Sequence, residues 1–292
     1  MFFFNLFSNF IRKFSLFFIF AASAVFAQPK LISQATITTK TTIVAPEGEE
    51  EQSRTFTSED GQERTIRFNR GDGETKTVTT LKNEMVKTFS ESDMGRTTLI
   101  RDNAKKITTT IMEIMGKKTG YYATDEEQEQ MAKRIDSMMQ SRNQQFSFGN
   151  NRTATVFKTE YIDASKKIAG YTCKKALVIG TRANNKTDTT VVWYCPDFKL
   201  QHISSTGGSL GGFAAMTAIA QPTGMEDLNG FPMEYEKNMS RGRKMTVQVT
   251  KLVIDKEVAD KEFEISKDIE LKAMKDMQNG GGPGGMRIVV GG

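Results

Sequence analysis

Polar and apolar residues alternate along most of the chain in short runs, which is the pattern of strands with one buried face. Residues 35–44 are ATITTKTTIV, and Thr, Ile and Val are favoured in strands. Gly, Asp and Asn separate the later runs at intervals of roughly 8–12 residues, which is typical of an antiparallel meander. The alternation predicts further strands at 64–70, 75–81, 85–90, 97–101, 106–115, 153–162, 171–181, 189–194, 231–236, 244–254 and 263–265.

One segment departs from this alternation and has the period of a helix. Thr124 precedes Glu127 by three residues, which is the spacing of a capping box at a helix start. The apolar residues that follow recur at i, i+4, i+7 and i+8 and form one stripe: Met131, Ile135, Met138 and Met139. We therefore predict a helix over 125–142. We expect its stripe to pack on the sheet; a role in lining a ligand cavity is the compatible alternative, since Met adapts to irregular partners.

A second apolar segment follows the glycines at 207–212. Residues 213–220 (FAAMTAIA) predict a short buried helix, in which Phe213 and Met216 are further candidates for lining a ligand cavity. A weak helix is predicted at 268–277. The fold class that follows is α+β: a curved antiparallel sheet, an open half-barrel, with one main helix and a short apolar helix packed on one face.

The first 27 residues have the composition of a secretory signal peptide. Arg12 and Lys13 precede an apolar run that reaches Phe26, and Val25 and Ala27 occupy the −3 and −1 positions of a cleavage site. The run is shorter than the roughly 20 apolar residues of a membrane span. An uncleaved N-terminal anchor is the alternative. We expect an exported protein that is periplasmic, outer-membrane-associated or secreted.

The rest of the chain divides by composition. Residues 28–278 are predicted to form a single β-rich domain, and the Gly-rich residues 279–292 a flexible tail. Seven acidic residues lie within 46–63, and such a run is usually a solvated loop; cation binding is the alternative.

The two cysteines are spaced as partners in one hairpin. They flank the turn sequence ANNK, and a hairpin centred on Asn184 places Cys173 opposite Cys195. The same register places Leu177 opposite Val191, and Lys175 opposite Trp193 as a cation–π pair. An even number of cysteines in an exported protein favours a structural disulfide. The alternative, a redox dithiol, usually needs two cysteines close in sequence, as in Cys-x-x-Cys.

Composition excludes several functional classes. The chain has 292 residues with one His and two Cys, which cannot build a Cys₄ zinc site or an iron–sulfur cage. Residues 207–211 (GGSLG) have the letters of a Gly-x-Ser-x-Gly elbow close to His202, but a single short match within a glycine-rich run is weak support for a Ser–His hydrolase, and no Gly-Lys-Ser/Thr follows the glycines at 207–212. The 40 basic and 35 acidic residues are interleaved, so the net charge of +5 does not indicate a nucleic-acid partner. We predict a protein that is not an enzyme and takes no metal or cofactor.

Several short motifs carry a resemblance to known proteins. Residues 168–176 (IAGYTCKKA) are followed by VWY at 192–194, and residues 95–122, 230–236 and 247–265 add similar strands. In these motifs the chain resembles small exported bacterial proteins: the GLPGLI family and a related domain family of unknown function. The GLPGLI string itself is absent, so the second family is preferred. The resemblance implies a lipoprotein-carrier-like (LolA-like) fold and transfers no catalytic residues.

Two functions are compatible with this pattern. The first is a non-enzymatic envelope protein that binds an apolar ligand, such as a lipid or acyl chain, in the half-barrel cavity. A curved sheet with helices on one side leaves room for such a cavity. The alternative is a protein-interaction or structural module of the cell envelope or secreted fraction, with a filled core and an envelope protein as partner.

Overall fold

The structure is a computed structural model. It describes residues 28–46, 52–57, 63–68, 73–92, 95–114, 116–130, 133, 155–183, 185–201, 224–225, 227–239, 242–254 and 256–277. Its strands are β1 (Lys30–Ile32), β2 (Gln34–Val44), β3 (Gln52–Thr57), β4 (Glu63–Phe68), β5 (Gly73–Lys82), β6 (Met85–Ser92), β7 (Gly95–Asp102), β8 (Ile107–Ile114), β9 (Lys117–Thr124), β10 (Val156–Ile168), β11 (Tyr171–Thr181), β12 (Thr187–Cys195), β13 (Phe198–Leu200), β14 (Phe231–Asn238), β15 (Lys244–Val253) and β16 (Leu271–Ala273).

Twelve of these strands form one sheet, in the order β10-β11-β12-β14-β15-β2-β5-β6-β7-β8-β9-β16. Neighbours are antiparallel except β9 and β16, which are parallel. Strand β2 joins the two halves of the sheet, because it pairs with β15 on one side and with β5 on the other. Outside this sheet, β1 pairs in parallel with β13, and β3 pairs with β4 as a hairpin.

The predicted antiparallel meander is confirmed over β5 to β9, where each strand pairs with the next one in sequence. A tight turn explains the same kind of neighbour pairing between β10 and β11. Ala169 and Gly170 connect β10 to β11 with φ angles of 48° and 88°. Two successive positive φ angles are the requirement of a type I′ turn, whose twist matches that of the flanking strands.

The predicted fold class was wrong in its helical part. Strands account for 66% of the structure, and the described residues contain no main helix, whereas the predicted open sheet is consistent with the structure. Their helices are short: 125–130 with 133, a 3-10 helix at Asp260–Phe263, and α1 at Met274–Met277.

Three local predictions also need correction. The weak helix predicted at 268–277 contains β16, since its backbone pairs with β9 and its side chains pack on Gly120. The predicted strand at 263–265 begins on the last residue of the 3-10 helix and is not a strand. The acidic run at 46–63 is not all loop, because β3 lies within it and pairs with β4.

The start of the predicted helix has the expected capping box. The Thr124 N–H donates to Glu127 Oε2 at 3.1 Å, and the Glu127 N–H donates to Thr124 Oγ1 at 3.2 Å. The remaining candidates for packing and for the ligand cavity lie outside the described residues: Met131, Ile135, Met138, Met139, Phe213 and Met216.

Arg101 ties this helix start to the sheet. The residue lies on β7 and is only 8% exposed. Its guanidinium donates to both carboxylate oxygens of Asp125, at 2.5 and 2.9 Å, and to Thr108 Oγ1 at 3.3 Å. Hydrogen bonding to Arg101 holds the pKa of the Asp125 carboxyl below its ordinary value.

We expect Asp125→Asn to lower the free energy of unfolding by about 1–2 kcal/mol at neutral pH, because it leaves the buried Arg101 charge without its partner while water screens the half-exposed carboxylate. The folded-state pKa is lowered, so this contribution is present above the unfolded pKa of about 4 and is lost as pH falls through the folded value. The difference in unfolding free energy between wild type and Asp125→Asn, measured by urea unfolding, should therefore become smaller as the pH falls below about 4. Asp188→Asn, which removes an exposed ion pair with Arg182, is the control. A pH-independent difference would contradict the assignment.

Candidate functional site

The hairpin that carries both cysteines has the predicted register. Strands β11 and β12 pair Lys174 with Tyr194, so the next facing positions outward are Cys173 and Cys195. The other two predicted pairs are present as well: Leu177 with Val191, and Lys175 with Trp193. The predicted register is therefore confirmed, and it could be predicted because the two strands are close together in the chain.

Both cysteine side chains are fully buried, at 0% exposure, in an apolar cluster. The aromatic ring of Phe198 on β13 is central to it, since it stacks on Phe231 at 5.7 Å between centroids and meets Tyr171 edge-on at 5.5 Å. We call this set the cysteine cluster; its buried members are Ile32, Ala35, Ile37, Ile168, Cys173, Cys195, Phe198, Phe231, Met233 and Val249.

Burial makes the reduced cysteines unreactive. Desolvation, together with the neighbouring Cys195, raises the pKa of Cys173 to about 12, and desolvation raises the pKa of Cys195 to about 11. At neutral pH both thiols are protonated, and the thiolate is the form that acts as nucleophile or metal ligand. The arrangement thus favours a structural role over a redox dithiol. Both side chains are thiols in the structure, so the disulfide stays a prediction.

A charged cluster lies beside the cysteine hairpin. Lys166 Nζ lies 4.5 Å from the centre of the Trp193 ring and 2.5 Å from Glu234 Oε1. The predicted cation–π contact of Lys175 with Trp193 is confirmed, at 5.8 Å. Gln248 Nε2 donates to the second oxygen of Glu234 at 2.9 Å. These polar groups bind one another, and the cluster connects β10, β12, β14 and β15.

The described residues show neither a metal-ligand group nor a membrane-spanning helix. No three His, Cys, Asp or Glu side chains in them form a group that could hold a metal ion. None of the helices in this part of the chain is long and apolar enough to cross a membrane. His202 and the glycines at 207–212 lie outside it.

A feature that the sequence pattern did not reveal is the position of β10 at an edge of the large sheet, as far as the described residues show. The 13-residue strand β10 pairs with β11 on one side, and no described strand lies on the other. Three large apolar side chains are exposed here: Val156 (70%), Tyr161 (46%) and Ile162 (39%). A register shift between Ile162 and Ser165 interrupts the strand. An edge strand presents backbone N–H and C=O groups that can pair with another chain.

No protein-family model and no curated protein matches the chain. Solved structures that resemble it include PNGF-II, with 13% identity and a TM-score of 0.34 over 84% of this chain and 32% of that one. MucB resembles it with 9% identity and a TM-score of 0.35, over 81% of this chain and 58% of MucB. The Pseudomonas aeruginosa MucA/MucB complex has 10% identity and a TM-score of 0.34, over 80% of this chain and 56% of that one.

The chain thus spans about a third of the length of PNGF-II and somewhat more than half of MucB. These TM-scores and identities are too low to assign a fold family or a function. The resemblance to the GLPGLI family and its relative therefore stays a prediction.

Proposed function

We propose that this chain is an exported, non-enzymatic module of the cell envelope or secreted fraction that binds other polypeptides through the edge strand β10. The observation that carries the proposal is the 13-residue edge with Val156, Tyr161 and Ile162 exposed on it. In strand addition, backbone hydrogen bonds supply affinity and alternate side chains supply specificity. This is the second of the two functions that the sequence favours.

The chemistry of the edge supports this function. Natural edge strands avoid unwanted pairing through charges that repel another strand. On β10 the charges before the bulge neutralise each other, since Lys158 Nζ lies 2.8 Å from Glu160 Oε1. The segment 156–162 is therefore apolar or internally neutral, and an incoming strand meets no net charge.

The non-enzymatic part of the proposal is supported by the chemistry of the site. Cys173 and Cys195 are protonated when reduced, and Lys166 and Glu234 neutralise each other. Export is supported by the basic flank and apolar run of residues 1–27.

Binding of an apolar or lipid ligand stays a prediction, because all six residues proposed for the cavity lie outside the described residues. Pockets for apolar ligands are lined mainly by apolar side chains. The buried side chains on the central strands of the sheet do not favour such a ligand, because many of them are polar. Hydroxyl groups are frequent among these positions: Thr39, Thr77, Thr79, Thr88, Ser90 and Thr97.

Site-specific photo-crosslinking in the native host tests the proposed function. A benzophenone amino acid at Val156 should give adducts between this chain and a second polypeptide, because the exposed side chain lies on the edge strand β10. The same probe at Ile114, an exposed apolar residue on the interior strand β8, is the matched control and should give none. Equal adduct yields at the two positions, or none at Val156, would contradict binding at this edge.

A further inference from the structure

We infer that the polypeptide bound at the edge is a second copy of this chain, whose β10 pairs antiparallel with the first β10 about a two-fold axis at Thr159. This inference rests on the proposed function and names the partner of the same edge. Such an interface is isologous, since each copy contributes the same residues and the contact closes on itself.

The segment available for pairing is 156–162, because the register shift begins after Ile162. A two-fold axis at Thr159 places each residue of this segment opposite a chemically matching one. Val156 faces Ile162 of the second copy, Phe157 faces Tyr161, Lys158 faces Glu160, and Thr159 faces itself. Apolar residues thus meet apolar residues, and opposite charges meet.

The side chains involved are accessible for such pairing. Val156 and Ile162, at the two ends of the segment, are 70% and 39% exposed. The side chains of Lys158 and Glu160 are 72% and 41% exposed. These four residues are every second residue of the strand, so their side chains lie on one face of the sheet. Pairing places the same four side chains of the second copy next to them on that face.

On the opposite face of β10, contacts within the chain fix the aromatic side chains that would meet across the axis. The Tyr161 hydroxyl accepts a hydrogen bond from the Asn229 N–H at 3.2 Å, and its ring meets Tyr194 edge-on at 5.6 Å. Phe157 packs against the buried cluster that includes Tyr194. Two anchored aromatic residues facing each other across the axis form a favourable cross-strand pair.

Neighbouring registers lack this complementarity. An axis at Lys158 places that lysine opposite itself, and an axis at Glu160 places that glutamate opposite itself. Like charges directly opposite each other destabilise a strand pair. An axis halfway between two residues is excluded by geometry, because it would place side chains of opposite faces of the sheet opposite each other. Chemistry therefore selects the axis at Thr159.

A contact of seven residues per copy is small for a protein interface. Interfaces below about 1,200 Å² are typical of weak or transient association, so we expect a dimer with a dissociation constant in the micromolar range. Sedimentation velocity on the mature full-length chain, over a concentration series through this range, should show a reversible monomer–dimer equilibrium.

Charge exchange tests the register. Lys158→Glu and Glu160→Lys each place like charges opposite each other, and each should weaken the dimer by at least about tenfold. The double variant Lys158→Glu/Glu160→Lys restores opposite charges across the axis and should restore the dimer. Lys76→Glu, which reverses an exposed charge on the interior strand β5, is the control and should leave the dimer unchanged.

Cross-linking locates the axis directly. Thr159→Cys places two thiols at facing positions, and a mild oxidant should remove two electrons and two protons to give a disulfide-linked dimer. Val156→Cys should not link to itself, because its own counterpart lies at the far end of the paired segment. Thermal unfolding of each variant verifies that the monomer is folded.

The outcomes separate this inference from the proposed function. A chain that stays monomeric throughout the series, while Val156 still cross-links to other polypeptides, overturns pairing between copies and leaves the edge as a binding site. A dimer that is unaffected by either single charge reversal, or that fails to link through Thr159→Cys, also overturns it. Absence of every adduct at Val156 overturns both proposals.

Discussion

Protein purified from its native exported fraction is expected to contain no free thiol, because Cys173 and Cys195 form a disulfide. Their facing positions on β11 and β12 support this. Directly opposed residues of antiparallel strands have Cα atoms about 4.5–5.5 Å apart, within the span of disulfides. The bond would close a loop of about 20 residues and stabilise the fold by about 3 kcal/mol. Thiol titration in denaturant, with and without reductant, measures the bond, and urea unfolding under both conditions measures its contribution.

The raised thiol pKa values of about 12 and 11 add a kinetic expectation. Disulfide formation needs a thiolate and access to it, and the folded cysteine cluster provides neither. Reduced folded protein should therefore reoxidise much more slowly than protein held in urea, which places bond formation before the cluster closes.

A matched variant separates the bond from other effects of reductant. In Cys173→Ala/Cys195→Ala the stability should be the same with and without reductant. Two free thiols in the native protein, or equal reoxidation rates in the folded and unfolded states, would contradict the prediction.

Gly230→Ala is expected to lower the free energy of unfolding by about 3 kcal/mol or more, or to prevent folding. A Cβ atom at this position would lie 2.0 Å from the carbonyl oxygen of Cys195 and 2.8 Å from the Tyr194 ring. Backbone oxygen cannot turn aside as a flexible side chain can, so β12 and β14 would have to separate. Urea unfolding, or the yield of folded protein, measures the effect.

Gly73→Ala is the matched control, because a Cβ atom there would meet no atom within 4 Å. That variant should stay within about 0.5 kcal/mol of wild type. If Gly230→Ala is as stable as Gly73→Ala, the close approach of β14 to Cys195 is absent.

The sequence pattern predicted strands well where neighbours along the chain pair with each other. Strand β11 begins and ends as predicted, and the register of Lys175 with Trp193 is confirmed. Errors arose where a segment pairs with a distant one. The pattern at 268–277 has weak helical periodicity, yet Leu271 pairs with Gly120, about 150 residues earlier in the chain. Tertiary pairing overrode local preference there.

Local chemistry was enough to determine the alternation of the strands, the Ala169-Gly170 turn, the capping box at Thr124 and the facing cysteines. Each depends on residues within about 25 positions of one another. The tertiary structure decided the central place of β2, the burial of both thiols and the exposure of β10 at an edge. These features depend on which distant strands become neighbours, and period-2 alternation is the same for an interior strand and an edge strand. The edge that carries the proposed function is therefore a property of the folded sheet.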